Sequence, residues 1–164
     1  MCFCDARHGS SKILDQAHRL YLEDISVGQK FSTGSHTLDE PQIIAFAKQF
    51  DPQPFHVDPE AAKDSLFKGL AASGWHTAAI TMRLLVQSGI PLAGGMIGSE
   101  ANVKWPRPTR AGDILTAHGE VVDVRPSKSR PDRGWISIRT ETRNQHGDVL
   151  QIFTSMMVVP RRMS

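Results

Sequence analysis

From Lys30 to Thr37 the chain alternates, with Phe31, Thr33 and Ser35 on one side, the period of two expected of a half-buried strand. A helix should follow. Asp39 can accept hydrogen bonds from the free N–H groups at a helix start, and Pro41 falls in the first turn, where a missing N–H costs nothing. Ile43, Phe46, Ala47 and Phe50 then keep helical spacing and form one apolar stripe. The helix is expected to stop at Asp51, because Pro52 disfavours helical geometry in the residue before it. A shorter helix should follow, with Asp58 as its cap, Pro59 at its first position, Ala61, Ala62 and Leu66 behind, and Lys68-Gly69 ending it.

The longest helix is expected over residues 74–88, with Ser73 as its cap. Trp75, Ala78, Ala79, Met82, Leu85 and Val86 form its main apolar face, and Ile80 and Leu84 widen it. A helix apolar over so much of its girth should be buried on several sides, with Trp75 and Met82 in the core. His76 is assigned a packing role, and Arg83 and Gln87 mark a polar edge. After Gly94-Gly95 the period changes, and residues 97–105, 114–124, 135–142 and 149–159 all read as strands. Residues 144–148 suit a hairpin loop, and residues 126–134 a longer, charged one. One strand, then helices, then four strands imply an α+β domain, a curved and mostly antiparallel sheet wrapped around a long buried helix.

Residues 1–19 show no period and are expected to be a loosely ordered N-terminal extension to a single domain over residues 20–164. Cys2 and Cys4 flank one residue, too close for an ordinary local disulfide, and no neighbouring Cys/His pair completes a zinc site. No metal is therefore expected. Met1 to Leu20 mixes Asp5, Arg7, His8, Lys12 and Asp15 without the apolar stretch of a signal peptide. No apolar run approaches the ~20 residues of a membrane span. A cytoplasmic protein without membrane contact is expected. The net charge of +2 is small, and its basic residues are scattered with no aromatic ladder beside them, which argues against a nucleic-acid partner.

Chemistry concentrates in Asp51-Pro52-Gln53-Pro54-Phe55-His56. Two prolines stiffen the turn, so a carboxylate and an imidazole five positions apart can face one point and move protons to and from one water. Alone, Asp51 would read as a turn residue and His56 as a structural histidine; their shared rigid turn favours a joint role. Gly74 opens the long helix, where N–H groups lack intrahelical partners and the helix dipole favours negative charge. A donor aimed at a developing oxyanion supplies on the order of 3 kcal/mol. Asp58, ahead of Pro59, is assigned a capping role only.

Phe50-Asp51-Pro52-Gln53-Pro54-Phe55-His56-Val57-Asp58, followed by Ala72-Ser73-Gly74-Trp75, resembles the motif of the MaoC-like dehydratases, which include the (R)-specific enoyl-CoA hydratases. Residues 105–113 resemble a strand-to-turn element of the same family, and the likeness extends over about residues 21–160. The resemblance implies a hot-dog fold, usually dimeric or a higher homo-oligomer, that hydrates trans-2-enoyl thioesters or dehydrates 3-hydroxyacyl thioesters. It implies Asp51 and His56 as the catalytic pair and the Gly74 N–H as the donor to the thioester carbonyl. No cofactor is implied, since CoA or an acyl carrier arrives as part of the acyl-thioester substrate. Gln53 stands where the family usually has Asn, and Ser73 where many hydratases have His; both are expected to support the site or touch substrate. Arg107 and Arg110, or the 125–133 loop, are candidates to meet CoA phosphates. Two other readings use the same fold: an acyl-CoA thioesterase, and a non-catalytic acyl-CoA-binding module. Thioesterases of this fold usually carry a carboxylate on the central helix, and residues 74–88 contain neither Asp nor Glu.

Overall fold

The structure, a computed structural model, describes residues 19–162. Apart from Arg19, the extension expected over residues 1–19 lies outside the described residues, as do Cys2 and Cys4. The elements run in the order β1 (Lys30–Thr37), α1 (Glu40–Phe50), α2 (Pro54–Val57), α3 (Pro59–Lys63), α4 (Gly74–Ser88), β2 (Ile97–Lys104), β3 (Ile114–Pro126), β4 (Arg133–Arg143) and β5 (Val149–Pro160). The strands form one sheet in the order β1-β3-β4-β5-β2, and all four ladders are antiparallel. Helix α4 packs mainly on β1, with further contacts to β3 and β5. This is the hot-dog fold.

The helix starts follow local chemistry. Asp39 accepts from the Gln42 N–H, and Asp58 from the N–H groups of Glu60 and Ala61. The proline after each cap pre-sets the first turn. Helix α3 stops at Lys63, earlier than the pattern suggests, and Leu66 is fully exposed instead of packing behind it. The turn at Pro54 closes into a separate single helical turn, α2, which holds His56.

Strand β1 departs from strict alternation. Its register against β3 shifts between Ser32 and Ser35, so Ser35 is exposed and His36 takes the inward position expected of it. The groups left unpaired at this bulge have partners nearby: the Ala117 N–H donates to Thr33 Oγ1 and the Gly34 N–H to Ser88 Oγ at the end of α4. A bulge is thus also a clasp between strand and helix.

Apolar packing divides into two clusters. Leu38, Ile43, Ala72, Ile80, Leu84, Leu115 and Leu150 lie between α1, α4 and the sheet. Leu22, Ile25, Ile90, Leu92, Val121, Ile136, Ile138, Met157 and Val159 fill the other end.

The inward face of α4 differs from the one its apolar residues suggest. His76, Thr77, Ile80, Thr81, Leu84 and Leu85 are buried, whereas Trp75 is 61% exposed, Val86 58% and Met82 38%. Trp75 and Met82 are therefore not core residues, and α4 is covered on one side only. Polar side chains on the sheet and on the segment between β2 and β3 are the reason. Thr77 Oγ1 donates to Thr109 Oγ1, the Thr81 and Thr142 hydroxyls are 2.7 Å apart, and Gln151 Nε2 donates to Thr81 Oγ1. A buried hydroxyl is tolerated once it is hydrogen-bonded, so these threonines take the interior and the larger apolar residues turn outward.

His76 stacks on Phe46 of α1, with ring centroids 4.4 Å apart and planes within 3°. Among the described residues its Nδ1 is buried without a partner. Burial, aided by the nearby His36, pushes its pKa down to about 4 from an ordinary 6.5. The folded chain therefore keeps His76 neutral where the unfolded chain binds a proton. Its contribution to stability is fully present above pH 6.5 and is lost as pH falls from there through about 4. In urea titrations, His76→Phe, which preserves the stack, should flatten this part of the stability–pH curve. An unchanged slope would assign the acid sensitivity elsewhere.

Candidate active site

Asp51 ends α1, its N–H still bonded to the Ala47 carbonyl while its backbone leaves helical geometry ahead of Pro52. Two residues later Gln53 leads into α2, with Pro54 at the first helical position. This short path brings His56, 5% exposed, back beside Asp51, with His56 Nε2 3.5 Å from Asp51 Oδ2. The pair expected from the two-proline turn is thus brought together.

The state of His56 follows from its other nitrogen. Nδ1 lies 2.7 Å from the Ala71 carbonyl oxygen. A carbonyl only accepts, so Nδ1 carries the proton, and in the neutral ring Nε2 presents a lone pair toward Asp51. Two acceptors 3.5 Å apart leave room for a donor such as water to bond both.

Asp51 is braced on both oxygens. Gln53 Nε2 donates to Oδ1 at 2.8 Å and the Ser73 hydroxyl to Oδ2 at 2.6 Å. Burial works to raise its pKa, but these two bonds, with the attraction of the imidazolium whenever His56 is protonated, outweigh it and hold the carboxyl below the usual aspartate value. Gln53, one methylene longer than the asparagine usual at this place, still reaches the carboxylate. Ser73 has two tasks, since its Oγ also accepts from the Trp75 N–H and caps α4.

Gly74 begins α4 beside this pair. Among the described residues its N–H has no acceptor, as expected of the first helical position. A Cβ at Gly74 would lie 2.6 Å from Cε2 of Trp105, so only glycine lets the indole pack this close. Trp105 is held in turn by its Nε1, which donates to Gln151 Oε1 at 2.8 Å, and by an edge-on contact with Trp75.

Asp51, Gln53, His56 and Gly74 all line one cavity of about 530 Å³, whose walls include Phe55, Phe67, Trp75 and Trp105. Thr77 and Thr109 also line it. A recess with aromatic walls and a few converging polar groups is the usual form of a small-molecule site. Ser73 is fully buried behind Asp51.

The two candidate arginines part company. Arg107 lines the cavity, half exposed, and is paired with Asp148. Arg110 spends its guanidinium on the carbonyls of Phe67, Gly69 and Leu70, which leaves it unsuited to a phosphate. In the 125–133 segment, Arg125 pairs with Asp123 and Arg133 with Asp132 at the surface. The charged loop is shorter than expected, because β3 continues to Pro126 and β4 starts at Arg133. Sequence reading missed the aromatic walls and the Ala71 carbonyl. Trp105 sits in the Trp-Pro-Arg-Pro element and was within reach of it; a backbone carbonyl leaves no mark in a sequence.

The family model described as MaoC like domain matches residues 24–139. The chain is similar to the crystal structure of a MaoC-like dehydratase from Rhodospirillum rubrum, with 55% sequence identity and a TM-score of 0.86 over 88% of this chain and 99% of that one. It is 34% identical over 125 residues to the uncharacterized protein YdeM of Bacillus subtilis, covering 76% of this chain and 87% of that protein. It is 32% identical over 144 residues to an (R)-specific enoyl-CoA hydratase of Rhodospirillum rubrum, covering 87% of this chain and 93% of that protein. With Asp51, His56 and Gly74 all inside the matched stretch, the chain belongs to the MaoC-like dehydratase family.

Proposed function

We propose that the protein is a hydratase/dehydratase of acyl thioesters, adding water across a trans-2-enoyl-CoA or removing it from a 3-hydroxyacyl-CoA. The observation that carries this reading is the facing of the His56 Nε2 lone pair and the braced Asp51 carboxylate at 3.5 Å on a cavity that Gly74 also lines. Its relationship to an (R)-specific enoyl-CoA hydratase supports the same reaction.

The chemistry needs one water and no cofactor. The water donates one hydrogen bond to His56 Nε2 and one to Asp51, leaving an oxygen lone pair for the β-carbon. As the C–O bond forms, His56 takes a proton from the water, and the π electrons move through the α-carbon onto the thioester oxygen. That oxygen is stabilised by the Gly74 N–H at the positive end of α4. The enolate then collapses and takes the proton from His56 at the α-carbon, so one H and one OH have been added. Asp51, kept ionised by Ser73 and Gln53, orients the water and balances the transient imidazolium.

The assembly belongs to the same reading. Trp75, Ala79, Met82 and Val86 recur at helical spacing along the exposed side of α4, and the outer edge of β2 is unpaired among the described residues. A second copy related by two-fold symmetry satisfies both, covering the stripe and meeting the strand edge.

Purified protein should hydrate crotonyl-CoA, followed by loss of the enoyl absorbance. Asp51→Asn and His56→Ala should each lower kcat by roughly 100-fold or more, the range of a general acid–base group. Turnover unaffected in both variants would remove these residues from the mechanism. Sedimentation should return twice the 18.1 kDa chain mass, and Val86→Glu should shift it toward a single chain. A monomeric wild type would refute the assembly.

A further inference from the structure

Arg110 is hydrogen-bonded to backbone beside the acid–base pair and to neither member of it. Its guanidinium donates to the carbonyls of Phe67, Gly69 and Leu70, with distances of 2.8 Å to the last two. The next carbonyl along the chain, that of Ala71, is the one that accepts from His56 Nδ1. Residues 71 and 72 are stitched in on either side: the Ala71 N–H donates to the Phe55 carbonyl, and the Ala72 N–H to the Thr109 carbonyl. A single stretch of backbone therefore runs from the Arg110 clasp to the imidazole.

Local bonds hold the start of that stretch, where the Lys68 N–H donates to the Ser65 carbonyl and the Gly69 N–H to that of Ala62; none of them reaches the carbonyls that Arg110 clasps. Lys68 has φ of +54°, a left-handed conformation that is uncommon for a residue with a side chain. Phe67, beside it, packs its ring 5.1 Å from that of Phe55 and 6.0 Å from that of His56. Arg110 is itself fixed from behind, since its N–H donates to the carboxylate of the buried Asp113. Three carbonyls on one turn can be met together by a planar fork of donors, which the compact ammonium of a lysine does not reproduce.

We propose that Arg110 is a positioning residue for the acid–base pair: by clasping residues 67–70 it presents the Ala71 carbonyl to His56, keeps the ring proton on Nδ1 and leaves Nε2 free to accept. The proposal rests on the hydratase reading for its effect on rate, but its effect on the imidazole is independent of any substrate.

The test uses Arg110→Lys and Arg110→Met in the full chain, with two readouts. Ring nitrogen NMR on histidine-labelled protein, with His56 assigned by its substitution, reports the tautomer without substrate. Wild type should show His56 protonated at Nδ1, and the variants a mixture of tautomers. In turnover, kcat should fall about 10- to 100-fold, the loss expected of a slightly misplaced catalytic group, with KM changed less than about threefold. The loss should be equal for crotonyl-CoA and for crotonyl-N-acetylcysteamine, which has no phosphates.

An unchanged His56 signal in folded variants overturns the proposal, even if thermal stability drops. So does a rise in KM confined to the CoA substrate, which would make Arg110 a phosphate contact. If Arg110→Met does not fold, Arg110→Lys decides. Absence of hydration by wild type would defeat the proposed function alone, with the tautomer measurement still judging Arg110.

Discussion

The Ser73 hydroxyl donates to Asp51 Oδ2 across 2.6 Å and joins the end of α1 to the start of α4. Much of the site depends on this bond. It lowers the carboxyl's affinity for protons against the pull of burial, and it leaves Ser73 Oγ able to accept from the Trp75 N–H. The group that caps the helix thus also braces the acid. Because the Gly74 N–H lies on the same helix end, the distance between the carboxylate and that free N–H is set by a helix terminus and not by a loop.

A second constraint comes from the polar seam under α4. Trp105, Gln151, Thr81 and Thr142 form one hydrogen-bonded series, and Thr77 and Thr109 form a second pair near the cavity. The first of these chains fixes the Trp105 indole against Gly74, where a Cβ has no room. Networks of this kind are favourable only when their members are satisfied, so the helix has little freedom to roll. It is held with threonines inward and with Trp75, Met82 and Val86 outward.

The parts of the fold legible in the sequence were those decided locally. Strand β1 and helix α4 have the expected bounds, and Asp39, Asp58 and Ser73 cap the helices they were expected to cap. A cap and a proline act within one turn, so their neighbours in sequence are their neighbours in space. The bulge in β1 and the inward face of α4 were not legible, because each depends on a partner tens of residues away. Ser88 against Gly34 and Thr142 against Thr81 are such pairs.

The same division runs through the site. Asp51 and His56 could be named from the sequence because two prolines close the path between them, and Gly74 because helix starts leave N–H groups free. The sequence by itself thus determined which groups are available and the family to which their spacing belongs. Only the tertiary structure decided how they are held. It set the His56 tautomer through the Ala71 carbonyl, braced Asp51 through Ser73, and turned Arg110 from the solvent to the backbone. The physical reason is that protonation and hydrogen bonding depend on distances of a few ångströms between atoms that the chain order keeps apart.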